Sequence, residues 1–512
     1  SNRGSATTQL IFGNPDITLT GGSGGGSAVS YGGDTFQLSN DAGINSDGSG
    51  TQTVYAGTVT INGGSATYGG AGFGSDSGNG LSITTTGDLS MYGGSSSAAD
   101  PFAAATYIGN KAGGSINLDI GGNLYVKAGS GSAAPVLIGS VDGPASVAIA
   151  TAGNVSIIAD GSQVGIGSDS TSYGASVYIA AGGNLTVTDS ATRGVRIGSL
   201  ADSASATDVT LLAGGDIAIG GATGYGALVG VKTPSGVSSV TIRAGEYGGG
   251  NLLLAATSRV KAGGQVALSA RQSAATNGNI TQNLGGIIYG GDVGFTAEGT
   301  ASFNGSVTAT TGTISGLAGF AYGGQIGYST SPSTYGGNLV FGSTSILTAP
   351  SIAFASAGDL TMNGQMQAST GGIQLSAGSY QDSGSGISTL TGGNVVIGGM
   401  LEALGGSVEI AAAVGYQSLG NGQVTQAVGS SILAGSVSIA GGGTVSLDGS
   451  VTATAGELMV HAGYQTASIG AMGPFGYGSG SPTPYGGNLT IGGTLSGYGD
   501  VKLAAESGYG SG

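Results

Sequence analysis

Apolar side chains recur along this chain in short alternating runs, never in long blocks. Gly87-Asp88-Leu89-Ser90-Met91, Gly122-Asn123-Leu124-Tyr125-Val126, Gly153-Asn154-Val155-Ser156-Ile157 and Gly183-Asn184-Leu185-Thr186-Val187 share one order: Gly, Asn or Asp, apolar, any residue, apolar. Gly215-Asp216-Ile217-Ala218-Ile219 and Gly250-Asn251-Leu252-Leu253-Leu254 continue it, with the Asn/Asp positions 35, 31, 30, 32 and 35 residues apart. Two further short runs follow each start, as in Val164-Gly165-Ile166-Gly167 then Val177-Tyr178-Ile179, and Val195-Arg196-Ile197-Gly198 then Val209-Thr210-Leu211. Alternation with period two predicts strands with one face inward and one in solvent. Strands this short cannot make a hairpin sheet with its own core, but stacked turns of chain bury a continuous apolar column. The expectation is an all-β fold: a single elongated parallel β-helix (β-solenoid) with three short strands per coil. Leu124, Val126, Val155, Ile157, Leu185, Val187, Ile217, Ile219, Leu252 and Leu254 line the column, and Tyr125, Ser156, Thr186 and Ala218 face out. At each corner the Asn or Asp side chain bonds local backbone, the preceding Gly is expected to supply a positive φ, and stacked Asn residues can form a ladder.

The second half changes rhythm. Its starts are read at Asp292-Val293, Asn338-Leu339, Asp359-Leu360, Asn394-Val395, Ser436-Val437 and Asn488-Leu489, spaced by 46, 21, 35, 42 and 52. The variation is placed after the third strand, at 318–337, 378–393, 415–435 and 463–487, as lateral loop insertions rich in Tyr, Gln, Ser and Pro. A compact coil is read from Asn488 to Ala505. Residues 1–86 are read as a less regular start of the solenoid, 87–270 as regular three-strand coils, and 271–512 as coils bearing lateral loops. A transmembrane β-barrel would need strands of about 9 to 11 residues, which these runs do not supply.

Composition narrows the class. Glycine supplies 111 of 512 residues and charged residues only 7%, against about 7% and about 25% in ordinary globular chains. The net charge of −15 makes nucleic acid and anionic membrane surfaces poor partners. Residues 272–501 contain no Lys or Arg, and the chain has no Cys, which removes disulfides and thiolate chemistry. No apolar run approaches the roughly 18 to 20 residues of a membrane helix. The opening Ser1-Asn2-Arg3-Gly4 has no apolar leader and is expected of a product processed after secretion.

The phrases Ala181-Gly182-Gly183-Asn184-Leu185-Thr186-Val187, Ala213-Gly214-Gly215-Asp216-Ile217-Ala218-Ile219 and Ala357-Gly358-Asp359-Leu360-Thr361-Met362 resemble the repeats of filamentous-haemagglutinin-like adhesins of two-partner secretion. The resemblance implies a right-handed β-helix, export across an outer membrane, and attachment to surfaces or cells. It lacks a clear N-terminal secretion domain: where the family carries Asn-Pro-Asn-Gly-type motifs, this chain has Gly13-Asn14-Pro15-Asp16-Ile17.

No residue is expected to be catalytic, cofactor-binding or metal-ligating. His461 is the only histidine and reads as an ordinary structural one. Glu402 and Glu409 could in principle pair as acid and base, yet read as surface carboxylates. The alternating oxygens of 41–49 resemble a calcium loop without its terminal Glu, so a polar turn is expected. Tyr followed by Gly-Gly recurs at Tyr31, Tyr68, Tyr92, Tyr247, Tyr289, Tyr322, Tyr335 and Tyr485, and the loop rings Tyr380, Tyr416 and Tyr464 are singled out to contact glycan or a neighbouring fibre. Leu10, Ile11 and Phe12 on one side, and Val501 and Leu503 on the other, are expected to join copies by strand addition. The function expected is a secreted, non-catalytic structural or adhesive protein at the bacterial surface, stacking head to tail into fibres. The alternatives are a cell-anchored adhesin that does not polymerise and, less favoured, a glycan-cleaving solenoid enzyme.

Overall fold

The computed structural model describes residues 9–23, 28–31, 34–37, 42–46, 51–65, 69–75, 80–96, 105–110, 112–190, 193–199, 206–234, 237–273, 277–319, 337–382, 388–412, 422–463 and 486–505. Among them the chain is all β, with no helix and with long runs of parallel strands, a β-solenoid-like fold. It forms two compact units, Ser1–Gly248 with Leu253–Val266, and Gly249–Leu252 with Ala267–Gly512.

In the first unit strands pair in parallel along three ladders. The first joins Ile17–Thr20, Val59–Asn62, Leu89–Tyr92, Leu124–Lys127, Val155–Ile158, Leu185–Thr188 and Ile217–Ile219. The second runs from Ala42–Ser46 through Ala71–Ser75, Thr106–Asn110, Val136–Ser140, Val164–Ser168, Val195–Ser199 and Ala227–Val231 to Ser258–Lys261. The third runs from Gln9–Ile11 through Gln52–Ala56, Leu81–Thr85, Gly114–Ile120, Ala145–Thr151, Ala175–Ala181 and Asp208–Ala213 to Ser239–Ala244. The register sets like on like. Leu89, Leu124, Val155, Leu185 and Ile217 form one column, with Met91, Val126, Ile157, Val187 and Ile219 beside it, and all ten are buried. Tyr125, Ser156 and Ala218 are half-buried and Thr186 is exposed, as the alternation requires. The second ladder departs from that alternation, because Val136–Ser140, Val164–Ser168 and Val195–Ser199 are buried on both faces. Their outward positions are glycine or are covered by neighbours. Gly139, Gly167 and Gly198 stack at positive φ with the next strand's backbone where a Cβ would stand.

The corners before the first ladder are held by side chain to backbone bonds that pass from one repeat to the next. Asn123 N donates to Asp88 Oδ1 at 2.7 Å, Asn154 N to Asn123 Oδ1 at 2.9 Å, Asn184 N to Asn154 Oδ1 at 2.8 Å, and Asp216 N to Asn184 Oδ1 at 2.8 Å. The glycine before each of these residues does a different job from the one its sequence position suggests. Gly122, Gly153, Gly183 and Gly215 are absent from the positive-φ positions, so conformational freedom is not their role. A Cβ on any of them would meet the Asx oxygen of the preceding repeat well inside 3.0 Å. Glycine is needed there for close approach.

The second unit repeats the scheme at irregular spacing. Its first ladder joins Ile280–Gln282, Ala301–Phe303, Leu339–Phe341, Leu360–Met362, Val395–Ile397, Val424–Gln426, Val445–Leu447 and Leu489–Ile491. Two expected starts are therefore corrected. Asp292 opens Asp292–Ala297, which pairs with Thr313–Ala318, and Val437 lies in the part of Ser431–Gly441 that pairs with Leu458–Ala462, so neither strand belongs to the first ladder. The residues that occupy the corner are Asn279, Thr300, Asn338, Asp359, Asn394 and Gln423, each donating its amide to the side-chain oxygen one repeat earlier. The loop expected over 415–435 is also corrected, since Val424–Gln426 and Ser431–Gly441 lie in ladders. The insertion at 378–393 is a hairpin, its arms Ile373–Asp382 and Ser388–Gly392 pairing antiparallel from Gly378 to Asp382. Residues 320–336 and 464–485, within two other expected loops, lie outside the described residues. Within the stretch 488–505, read as a compact coil, lie the strands Leu489–Ile491, Thr494–Gly497 and Val501–Ala505.

Aromatic packing distinguishes this unit's core. The rings of Phe295, Phe303, Phe341 and Phe354 form a buried cluster with centroids 4.6 to 5.7 Å apart. Gly316, registered between Phe295 and Phe354, leaves the space that the Phe295 ring occupies. Phe341→Ala should therefore cost about 3–5 kcal/mol in chemical denaturation, the usual penalty for emptying a buried aromatic site. The corner makes a sharper prediction. Asn154→Ala should cost about 1–2 kcal/mol for the lost acceptor, and Gly183→Ala should also destabilise. In the Asn154→Ala background the same glycine change should cost less, because the nearest remaining atom, Gly153 C, lies at 3.4 Å. Additive losses would show that the oxygen does not dictate the glycine.

Candidate interaction surfaces

The strands expected to join copies sit at the edges of the described ladders. Gln9–Ile11 pairs with Gln52–Ala56, placing Ile11 in register with buried Val54 and Leu10 on the outward face. Leu10 and Phe12 are exposed, and Ile11 is half-buried. Val501–Ala505 pairs with Leu458–Ala462, which sets Val501 against Leu458 and Leu503 against Val460. Leu458 and Val460 are fully buried, whereas Val501 and Leu503 are 44% and 46% exposed. Beside them Lys502 Nζ bonds Glu457 Oε1 at 2.7 Å, and that hydrogen bond raises the amine above its ordinary value.

Of the three singled-out rings, Tyr416 and Tyr464 lie outside the described residues. Tyr380 is on Ile373–Asp382 opposite Leu390 of the hairpin, with its side chain outside the described residues. Other sequence candidates resolve into structural roles. Ala42–Ser46, inside the calcium-like run, is a strand paired with Ala71–Ser75 rather than a turn. Glu402 and Glu409 share the strand Met400–Ala412, and each accepts from a glutamine of the preceding repeat, Gln367 at 2.8 Å and Gln374 at 3.2 Å. His461 occupies an outward position between Ala440 and Ala504. Gly13-Asn14-Pro15-Asp16 is a corner: Pro15 O accepts from Gly57 N, and Asp16 Oδ1 accepts from both Thr58 N and Oγ1 at 2.9 Å.

A surface not picked out by sequence lies where three successive repeats of the first unit leave the first ladder. Gly63-Gly64-Ser65, Tyr92-Gly93-Gly94-Ser95 and Lys127-Ala128-Gly129-Ser130 line a groove of about 390 Å³, closed on one side by Asp160. Lys127 Nζ reaches Asp160 Oδ2 at 3.3 Å, and both side chains are roughly half exposed. The Tyr92 ring is exposed along the groove and packs against Tyr125 of the next repeat, with centroids 5.4 Å apart and planes tilted by 43°. Glycine in the lining is fixed by close approach. A Cβ on Gly64, Gly93 or Gly129 would collide with backbone of an adjoining segment. Tyr92 is one of the recurrent Tyr-Gly-Gly positions, so part of the site was signalled; Lys127 and Asp160 reach it only through register.

A second charged feature is structural. Arg196 forms an ion pair with Asp169, and their side chains are only 9% and 11% exposed. Arg196 shares its register position with Leu137, Gly165 and Leu228, and its guanidinium fills the space above Gly165. Removing one partner strands the other in a dry site, so Asp169→Ala or Arg196→Leu alone should each cost about 3 kcal/mol or more. The double variant should recover most of that loss in urea denaturation, because leucine already stands at this position in two repeats.

Among the described residues no group of three or more His, Asp or Glu side chains is placed to hold a metal ion, and no helix is long and apolar enough to cross a membrane. The chain matches no known family model, no curated protein and no solved structure.

Proposed function

We propose that this chain is a secreted, non-catalytic structural or adhesive protein of the filamentous-haemagglutinin-like kind. Its ladders are the faces of closed coils with three strands each, and copies stack head to tail into fibres at a bacterial surface. The observation that carries this reading is the condition of the edge strands. Val501 and Leu503 hold register positions that are fully buried one repeat earlier, yet nearly half of each is exposed among the described residues. Ile11 offers the matching inward side chain at the edge of a ladder of the same kind. Joining Gln9–Ile11 to Val501–Ala505 would satisfy both strands' backbone groups and continue an apolar column.

Such a joint draws on backbone hydrogen bonds and apolar contact, with the exposed Lys502–Glu457 pair adding little. Fibre formation by purified protein, followed by electron microscopy and light scattering, should therefore change little between about 50 and 500 mM salt. Leu10→Pro removes the N–H that the free edge of Gln9–Ile11 presents, since the Gln9 and Ile11 amides face Gln52–Ala56, and should give soluble single particles where the parent gives fibres. A parent that stays monomeric at high concentration, or a proline variant that polymerises equally well, would exclude head-to-tail stacking and leave the anchored-adhesin reading.

A further inference from the structure

We propose that the groove beside Tyr92 binds a neutral sugar unit of a glycan, its pyranose ring lying on the exposed face of Tyr92. The proposal rests on the adhesive part of the reading above and supplies the ligand class which that reading leaves open.

The shape comes first. At about 390 Å³ the groove is at the small end of ligand sites, which run from roughly 300 to 1,000 Å³, and it accommodates one or two monosaccharide units. Its floor is backbone, because glycine is required at Gly64, Gly93 and Gly129 by the neighbouring segments. The site is therefore built into the fold and does not depend on a flexible side chain moving aside.

The lining chemistry then selects among ligands. Tyr92 is the one aromatic ring among its described lining residues and packs against Tyr125. The same lining includes Ser65, Ser95, Ser130, Lys127 and Asp160, with Lys127 in register beside Tyr92, and together they offer both donors and acceptors. An apolar ligand would leave these groups without partners. An anionic ligand would find the only cation among the groove's described lining residues already paired with Asp160 at 3.3 Å, in a chain of net charge −15. A nucleic-acid strand meets the same objection. A pyranose ring matches both requirements: its axial C–H face stacks on an aromatic ring, and its hydroxyls donate and accept around the rim. The Lys127–Asp160 pair then serves as a donor and an acceptor held side by side.

The test is calorimetric titration of the full chain with cellohexaose, maltohexaose and chitohexaose, and with trigalacturonate as an acidic comparator. At least one neutral oligosaccharide should bind with a dissociation constant of order 0.1–1 mM, as suits an open site. Tyr92→Ala should weaken that binding by roughly tenfold or more, and Tyr92→Phe by no more than about threefold, because the ring and not the hydroxyl makes the stack. Unchanged thermal melting will show that the variants fold. Asp160→Asn should weaken the neutral sugar and, by freeing Lys127, strengthen trigalacturonate. Failure of all three neutral sugars to bind, a parent preference for trigalacturonate, or binding indifferent to Tyr92→Ala would each overturn the proposal. Fibres that bind no sugar would overturn this assignment and leave assembly standing, whereas monomers that bind it would do the reverse.

Discussion

A parallel ladder brings equivalent residues of successive repeats to within about 4.8 Å of one another, and at that spacing a corner has room for either a side-chain oxygen or a Cβ beneath it. The Asx carbonyl oxygen that accepts the next repeat's amide claims this space. Asn154 Oδ1 accepts from Asn184 N, and the residue before Asn184 must then be glycine. In the second unit the same linkage recurs at Asn338 with Gly358, and at a further corner the side-chain oxygens of Asn304, Asn363 and Asp448 occupy the space beside Gly342, Gly398 and Gly492 while the glycine amides bond backbone carbonyls. The glycine at these corners and the Asn or Asp of the preceding repeat thus have one origin. The hydroxyls of Thr85, Thr151 and Ser356 complete the corner by donating to the carbonyl two residues on, a second donor to an oxygen that already accepts a backbone amide of the next repeat.

Once the corners fix the phase of the repeats, the interior has to be filled one repeat at a time. In the first unit Ile, Leu and Val do this at constant register, each side chain resting on one of similar volume above and below. The second unit instead mixes volumes. Phe295 and Phe354 flank Gly316, so an absent side chain in one repeat accommodates rings from two others. The same compensation operates on the outer face of the first unit's second ladder, where Gly165 makes room for Arg196. A residue's size here is set less by its own strand than by the strand one repeat away.

This coupling explains what could be read along the chain and what could not. The column from Leu124 to Ile219 was legible because period-two alternation is a property of a single strand. The corner was legible where the donating residue is itself Asn or Asp, as at Asn338 above Thr300, although Asn279, which donates to Asn251 Oδ1, carries the signature and is not read as a start. An acceptor ladder needs a side-chain oxygen from the earlier repeat, but the later residue contributes only its backbone amide, which every residue except proline possesses. Thr58, Thr300 and Gln423 therefore donate the bond without an Asx signature, and Asp292 and Ser436 read as corners in their place. Spacing was unhelpful for the same reason: corner to corner distances in the second unit run from 21 to 38 residues between Asn251 and Gln423 because insertions leave the ladder undisturbed. The Asp16 corner was masked by a proline and by its likeness to a secretion motif, although Thr58-Val59-Thr60-Ile61 opposite it carries the alternation.

The groove at Tyr92 was harder to find because no short stretch of chain contains it. Its aromatic wall, its cation and its carboxylate come from three consecutive repeats, at positions 92, 127 and 160, and only parallel registration gathers them. In this architecture inward positions are committed to the column and the corners to the Asx bonds, so recognition chemistry is confined to outward strand positions and the turns that follow them. A site there is composite by construction, one contribution per repeat. Changing Tyr92 or Lys127 leaves the inward-facing Met91 and Val126 in place, so the surface can be altered while the ladder beneath it stands. The converse does not hold: a change of phase at Asn123 or Asn154 would separate Tyr92, Lys127 and Asp160 at once, and in that sense the backbone bond at the corner also positions the groove.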